Sequence, residues 1–270
     1  MLTGRELVDE IDACDVPTGN GAFWWLGQHS FVVKLGSTVI YVDPFLRPMS
    51  GRRVPPLLLP ADVRHADLIL GTHDHADHID REVWPALAEA SPKATFVVPE
   101  LLLRRGLAGE LSLPPARFVG LTDGQVVELG GVTITGVASA HEFLDRDETT
   151  GLYPYLGFVV RANGVSFYHA GDSCVYEGLQ TKLLALKPDA VFLPINGRDA
   201  QRLEAGVIGN MTYQEAADLA GAIRPRLTVP AHFDMFAGNL ADPQVFARYM
   251  AVKYPALRTH VPLHGRLEWF

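Results

Sequence analysis

The chain is 270 residues long and 48 % apolar, enough to bury one sizeable core. A formal charge of -8, with no block of Lys or Arg, offers little attraction to phosphate backbones or anionic lipid, which sets nucleic acid and membranes aside as partners. Two cysteines, Cys14 and Cys174, are too few for a disulfide framework and stand at no zinc-knuckle spacing.

The opening MLTGRELVDEIDACDVP alternates acidic and apolar residues at helical spacing and lacks the basic start and apolar stretch of a signal peptide. No run reaches transmembrane length, so the cytoplasm is the expected location. FWWLGQHSFVVKLGSTVIYVDPF reads as adjacent antiparallel strands, broken at Gly27 and at Gly36-Ser37 and ending on Asp43-Pro44. The segment from Arg47 to Pro60 holds too much proline for a helix and is expected as a surface loop. ADLILG is a short buried strand and DREVWPALAEASP a helix, so THDHADHID between them occupies the turn from a strand end into a helix start. TFVVPE, a leucine-rich helix to Leu111, and ARFVGL continue the alternation of strand and helix. QVVELGGVTITGVASAH is a hairpin turning at Gly130-Gly131, and GFVVRANGVSFYHAGD a second one turning at Asn163-Gly164 that delivers Asp172 at its end. The strand DAVFLPI, the helix TYQEAADLAGAI, the strand RLTVPAH, the helix DPQVFARYMAVKY and a last strand near Arg266 to Phe270 complete the order. Both halves run from hairpin strands to helices. That rhythm predicts an α/β fold, an αββα sandwich of two mixed β-sheets packed face to face with helices on the outer faces, in one domain spanning residues 1–270.

Within His73–His78 stand three histidines and two aspartates, a density that a solvated turn does not need. Residues two apart in an extended segment point the same way, so His73 and His75 can present nitrogens to one ion. Asp77 and His78, where the chain turns, can reach a second position. Further donors stand at other strand ends: His141 after TITGVASA, Asp172 after SFYHAG and His232 after LTVPA. A single histidine at a strand end is ordinarily structural; an ordered series of His and Asp donors points to a metal.

The pattern H-x-H-x-D-H of His73, His75, Asp77 and His78, followed by His141, Asp172 and His232, resembles the metallo-β-lactamase superfamily of binuclear hydrolases. GTHDHADHID, FYHAGDS and the run NMTYQEAADLAGAIRPRLTVPAHFDMFAGNLADPQ are similar to segments of its UlaG-like branch, the L-ascorbate-6-phosphate lactonases. The resemblance implies the metallo-β-lactamase fold, with His73, His75 and His141 on one divalent ion, Asp77, His78 and His232 on a second, and the Asp172 carboxylate bridging both. It implies that Asp43, at the end of STVIYVDPF, braces the metal loop without being a ligand. One or two ions are expected, zinc or manganese suiting nitrogen and oxygen donors without thiolate. Two such ions lower the pKa of a shared water to roughly 7, and Asp77 is the expected catalytic residue for orienting or moving its proton.

The expected substrate is a small molecule, a sugar lactone or sugar-phosphate lactone. Should it carry phosphate, Arg198 or Arg146 would clamp it, and Asn196 and Tyr155 are further candidate substrate contacts. Trp24 and Trp25 are expected in the core, Cys174 as a small buried thiol, and His29 and His169 as hydrogen-bonders behind the ligands or as ordinary buried imidazoles. His65, His260 and His264 receive no role. Two other functions fit the same donors: a small-molecule phosphodiesterase and a metal-binding sensor without turnover. Assembly into a homo-oligomer is left open.

Overall fold

A computed structural model describes residues 1–270. Helix α1 (Gly4–Ala13) buries Leu7, Val8 and Ile11 along one face. Strands β1 (Ala22–Gly27), β2 (Ser30–Leu35) and β3 (Thr38–Val42) follow as an antiparallel meander. The sheet then becomes parallel through β4 (Leu68–Leu70), β5 (Thr95–Pro99) and β6 (Phe118–Leu121), with α2 (Trp84–Ala90), α3 (Glu100–Arg104) and α4 (Leu107–Glu110) as crossovers.

The second sheet begins with antiparallel β7 (Val126–Leu129), β8 (Val132–Ala138), β9 (Leu156–Ala162) and β10 (Val165–His169), their hairpins turning at Gly130-Gly131 and at Asn163-Gly164. It continues in parallel with β11 (Ala190–Pro194) and β12 (Leu227–Ala231), accompanied by α5 (Leu179–Leu186), α6 (Ala200–Glu204), α7 (Tyr213–Ile223) and α8 (Pro243–Lys253). The closing strand β13 (Leu267–Trp269) returns to the first sheet against β1. The result is a seven-stranded sheet, β13-β1-β2-β3-β4-β5-β6, and a six-stranded one, β12-β11-β10-β9-β8-β7. No helix is long and apolar enough to cross a membrane.

Strands β1 and β2 are buried along their whole length because each face of their sheet meets a different layer. Trp24, Val32 and Tyr41 join Leu7, Ile11, Trp84 and Leu87 in the cluster under the outer helices. Phe23, Trp25, Phe31, Val33 and Ile40, one residue out of phase, join Phe158, Phe167 and Phe192 of the other sheet in the central cluster. Across that seam Phe192 meets Phe23 edge-on at 5.2 Å and Phe31 at 4.5 Å; such pairs add about 0.5–1.5 kcal/mol each beyond the area they bury. Trp24 and Trp25, adjacent in sequence, therefore serve two different cores.

Local chemistry modifies the expected elements at three places. Helix α2 starts at Trp84 rather than near Asp80, because the Asp80 carbonyl accepts from both Val83 and Trp84 N–H groups in a preceding turn. Pro85 falls in the first helical turn, where its missing N–H costs nothing. The leucine-rich helix divides into α3 and α4 at Gly106, whose φ of 101° no helix accommodates. Helix α5, LQTKLLAL, is an addition that the sequence pattern does not predict.

Strands β1, β3, β4, β8, β10, β11 and β12 all run toward one rim of the sandwich, since every second step in the antiparallel segments and every step in the parallel ones preserve direction. The residues just past their ends are Gln28-His29, Asp43, Thr72-His73, His141, Asp172, Asn196 and His232.

Candidate metal centre

Four of the eight non-glycine residues with positive φ lie at this rim: Gln28 (53°), Asp43 (47°), Glu142 (69°) and His232 (59°). Left-handed backbone is costly for such residues, and it persists where surrounding contacts over-determine it. At Gln28, Asp43 and His232 it turns the chain so that the side chain faces the cluster, while Glu142 stays exposed just past His141.

Three donor groups result, each with ligand atoms within 4.8 Å of one another: His73, His75 and His141; His73, His78 and Asp172; Asp77, His78 and His232. His73 Nε2 and His75 Nδ1 stand 3.0 Å apart. His232 Nε2 lies 3.1 Å from Asp172 Oδ2, and His78 Nε2 lies 3.3 Å from Asp172 Oδ1. The last two atoms are buried and face each other without hydrogen-bond geometry, so each lacks a partner. Buried polar atoms that converge yet do not pair fit a shared cation, and all donors are nitrogen or oxygen. His73, His75 and His141 could hold one ion, Asp77, His78 and His232 another, and Asp172 reaches both groups.

Asp43 holds this arrangement from behind. Its Oδ1 accepts from Thr72 N at 2.8 Å, and its Oδ2 accepts from Thr72 Oγ1 at 2.7 Å and from His78 Nδ1 at 2.6 Å. Thr72 Oγ1, its own proton committed to Asp43, accepts from His73 Nδ1 at 3.0 Å. One buried carboxylate thus sets the tautomers of His73 and His78 and leaves both Nε2 atoms facing the cluster. Ser30 Oγ fixes the Asp43 carbonyl from the other side.

Two participants carry no metal-motif signal in the sequence. Gln28 Nε2 donates to Asp77 Oδ2 at 2.8 Å and lies 3.0 Å from His232 Nε2, while the Gln28 backbone N–H donates to Asp234 Oδ1. Thr72 links Asp43 to the histidines. The one available hint at Gln28 is a polar pair, Gln28-His29, in the turn between two strands of large apolar residues.

Tyr155 lies beside the cluster, its ring 5.3 Å from His141 and 5.5 Å from His73. It borders a cavity of about 230 Å³ lined also by Asp74, Arg81, Leu102 and Arg105. The expected phosphate clamps are engaged elsewhere. Both terminal nitrogens of Arg198 donate to Glu215 at 2.6 Å, and Arg146 Nε donates to the Gly151 carbonyl with its guanidinium toward Tyr153. Asn196 is buried, donating to Asn239 Oδ1 at 2.8 Å. Cys174 is a buried thiol directed at the Gly209 carbonyl.

Electrostatics divide the histidines. Burial pushes His29 and His141 down to about 4 and His169 to about 3. Burial opposes charge on His78 as well, yet Asp172, Asp43 and Asp77 outweigh it and hold that imidazole up to about 10; His232 is raised against burial by Asp172 and Asp77. Asp172 is likewise pulled well below the usual carboxylate range, against burial, by His232 and His78. The sign of each effect on the metal-free protein follows from linkage. Below pH 6.5 the unfolded chain binds protons at His29, His141 and His169 that the folded chain refuses, so stability falls toward acid. Above pH 6.5 the folded chain keeps protons at His78 and His232 that the unfolded chain has lost, so stability falls again toward about pH 10. The chelator-treated protein is therefore expected to show its highest melting temperature near pH 6.5, and added divalent ions to lift the alkaline limb most, in thermal melts from pH 4 to 10.

Comparison with known proteins agrees with this picture. The family model described as Beta-lactamase superfamily domain matches residues 38–233. The UPF0173 metal-dependent hydrolase of Pyrococcus horikoshii is 30 % identical over 234 residues, 85 % of this chain and 92 % of the relative. That of Opitutus terrae is 31 % identical over 224 residues, 83 % and 89 % of the two chains. Among solved structures, Igni18, a metallo hydrolase from Ignicoccus hospitalis, superposes with a TM-score of 0.71 at 21 % identity, covering 93 % of this chain and 98 % of its own.

Proposed function

The chain belongs to the metallo-β-lactamase superfamily and is a metal-dependent hydrolase, and from that premise we propose that it opens a small lactone. The observation that carries this reading is the unpaired convergence of His78 Nε2 and Asp172 Oδ1 beside His73, His75, His141, Asp77 and His232. Divalent ions held there, zinc or manganese by donor type, would supply Lewis acidity toward a carbonyl and make a nearby water acidic.

The protein's own groups supply the rest. Asp77 is partly exposed, and Gln28 holds its Oδ2, leaving Oδ1 free to accept a proton at the mouth of the cluster. Asp43 and Thr72 keep the histidine lone pairs aimed, so no reorientation is needed when substrate arrives. Tyr155 stands beside His141 and His73, where it can meet a small substrate approaching the cluster. Arg198 is paired to Glu215 and Arg146 is turned to Gly151, so the proposed lactone does not depend on a phosphate clamp at either residue.

The test compares sugar lactones, acyl-homoserine lactones and bis-p-nitrophenyl phosphate before and after chelation. Lactone turnover that chelation abolishes and zinc or manganese restores is the expected outcome. Turnover of the phosphodiester alone would overturn the proposal, as would bound metal with no turnover of any substrate.

A further inference from the structure

The turn between β1 and β2 delivers two consecutive side chains to the cluster, and only the first has a partner. Gly27 (φ 96°) and Gln28 (φ 53°) bend the chain, and the β1–β2 register shifts between Trp25 and Gly27. Gln28 then grips Asp77, while His29 enters beneath the ligands, fully buried. Its ring lies 3.9 Å from that of His169 and nearly perpendicular to His78 and His232, at 6.2 and 5.9 Å. Both of its nitrogens lack a hydrogen-bond partner, a costly condition for a buried imidazole. Its Nδ1 stands 3.7 Å from Asp172 Oδ1, which is itself without a partner.

A separate cation is a second explanation, since His29, Asp43 and His169 also form a donor group within 4.8 Å. The hydrogen bonds exclude it. His169 Nε2 donates to the His29 carbonyl at 2.8 Å, and its Nδ1 accepts from Gly171 N at 3.2 Å. Both Asp43 oxygens accept from Thr72 or His78. His29 alone of the three has uncommitted nitrogens, too few donors for an ion of its own.

We infer that His29 is a positioning residue, whose Nδ1–H closes onto Asp172 Oδ1 when that carboxylate engages metal and fixes its angle between the two ion positions. The inference rests on the reading of Asp172 as a ligand to both ions. His169 holds the His29 backbone and lies against its ring at a tilt of 33°, so the donor is oriented from below, as outer partners of metal ligands commonly are.

The test uses His29→Leu, which keeps volume and removes the donor, and His29→Asn, whose amide nitrogen occupies the place of Nδ1. Ions per chain, zinc affinity by competition with a chromophoric chelator, and the melting temperature of the chelated proteins are measured. Expected is a 10–100-fold weaker affinity in His29→Leu for at least one ion, recovered largely in His29→Asn, a range typical of outer partners of ligands. A purely structural role would shift the chelated melting temperature and leave affinity unchanged; that result, or equal affinity loss in both variants, overturns the inference. Asp172→Ala run in parallel separates the two layers: if it binds as many ions as the parent with the same affinity, the reading of Asp172 fails, and the role of His29 with it.

Discussion

An Asp172→Ala variant is expected to lose hydrolysis by on the order of 10²–10³-fold or more while keeping its fold, the scale seen when one preorganised electrostatic group is deleted. The reason is position. Asp172 stands 3.1 Å from His232 Nε2 and 3.3 Å from His78 Nε2, and it shares a donor group with His73, so its loss is expected to open both proposed ion positions together. It also removes the main negative partner of two imidazoles whose pKa values it raises against burial. The variant should therefore bind fewer ions per chain at equal free metal, as counted by elemental analysis after dialysis. Asp172→Asn, the same size but uncharged, should recover little. Wild-type stoichiometry together with wild-type turnover in either variant would show that metal is held elsewhere.

Asp43→Asn is expected to weaken metal binding by roughly 10–100-fold without touching a proposed ligand. Asparagine tolerates the left-handed backbone at this position, so the change isolates the side-chain chemistry. The parent carboxylate accepts three hydrogens, from Thr72 N, Thr72 Oγ1 and His78 Nδ1. A carboxamide has an amino group in place of one oxygen, so at least one former donor faces another donor. If the amide nitrogen takes the Oδ2 place, His78 loses the acceptor that keeps its Nε2 directed at the cluster, and Thr72 turns its hydroxyl from its present hold on His73. Zinc competition titrations check the affinity, and the melting temperature of the chelated variant reports how much of the effect is stability. Unchanged affinity with lowered stability would make Asp43 a structural residue alone.

Much of this was legible along the chain. The strand and helix order follows from hydrophobic period and turn residues, and the hairpins at Gly130-Gly131 and Asn163-Gly164 fall where glycine and asparagine supply positive φ. The donors were legible because histidine and aspartate recur at strand ends, and strands that run the same way bring those ends to one rim. Gln28 and Thr72 were not legible as site residues. Their types are common in turns, and their significance comes from what folds against them: Gln28 meets His232 across 204 positions of sequence. That Arg198 and Arg146 are engaged by other groups is hidden from the sequence for the same reason. A guanidinium near a strand end is free or engaged according to its neighbours, and Glu215, the capping-box residue at the start of α7, takes Arg198.

By itself, then, the sequence determined the layers of the sandwich and the kinds of donor available to a metal, because periodicity and side-chain chemistry are local properties. Only the tertiary structure decided which nitrogen of each histidine faces inward, that Asp43 sets those orientations through Thr72, and that His29 lies unpaired beneath Asp172. Such matters depend on hydrogen bonds between segments distant in sequence, each directional over a few tenths of an ångström, and no periodic pattern along one segment encodes its partner in another.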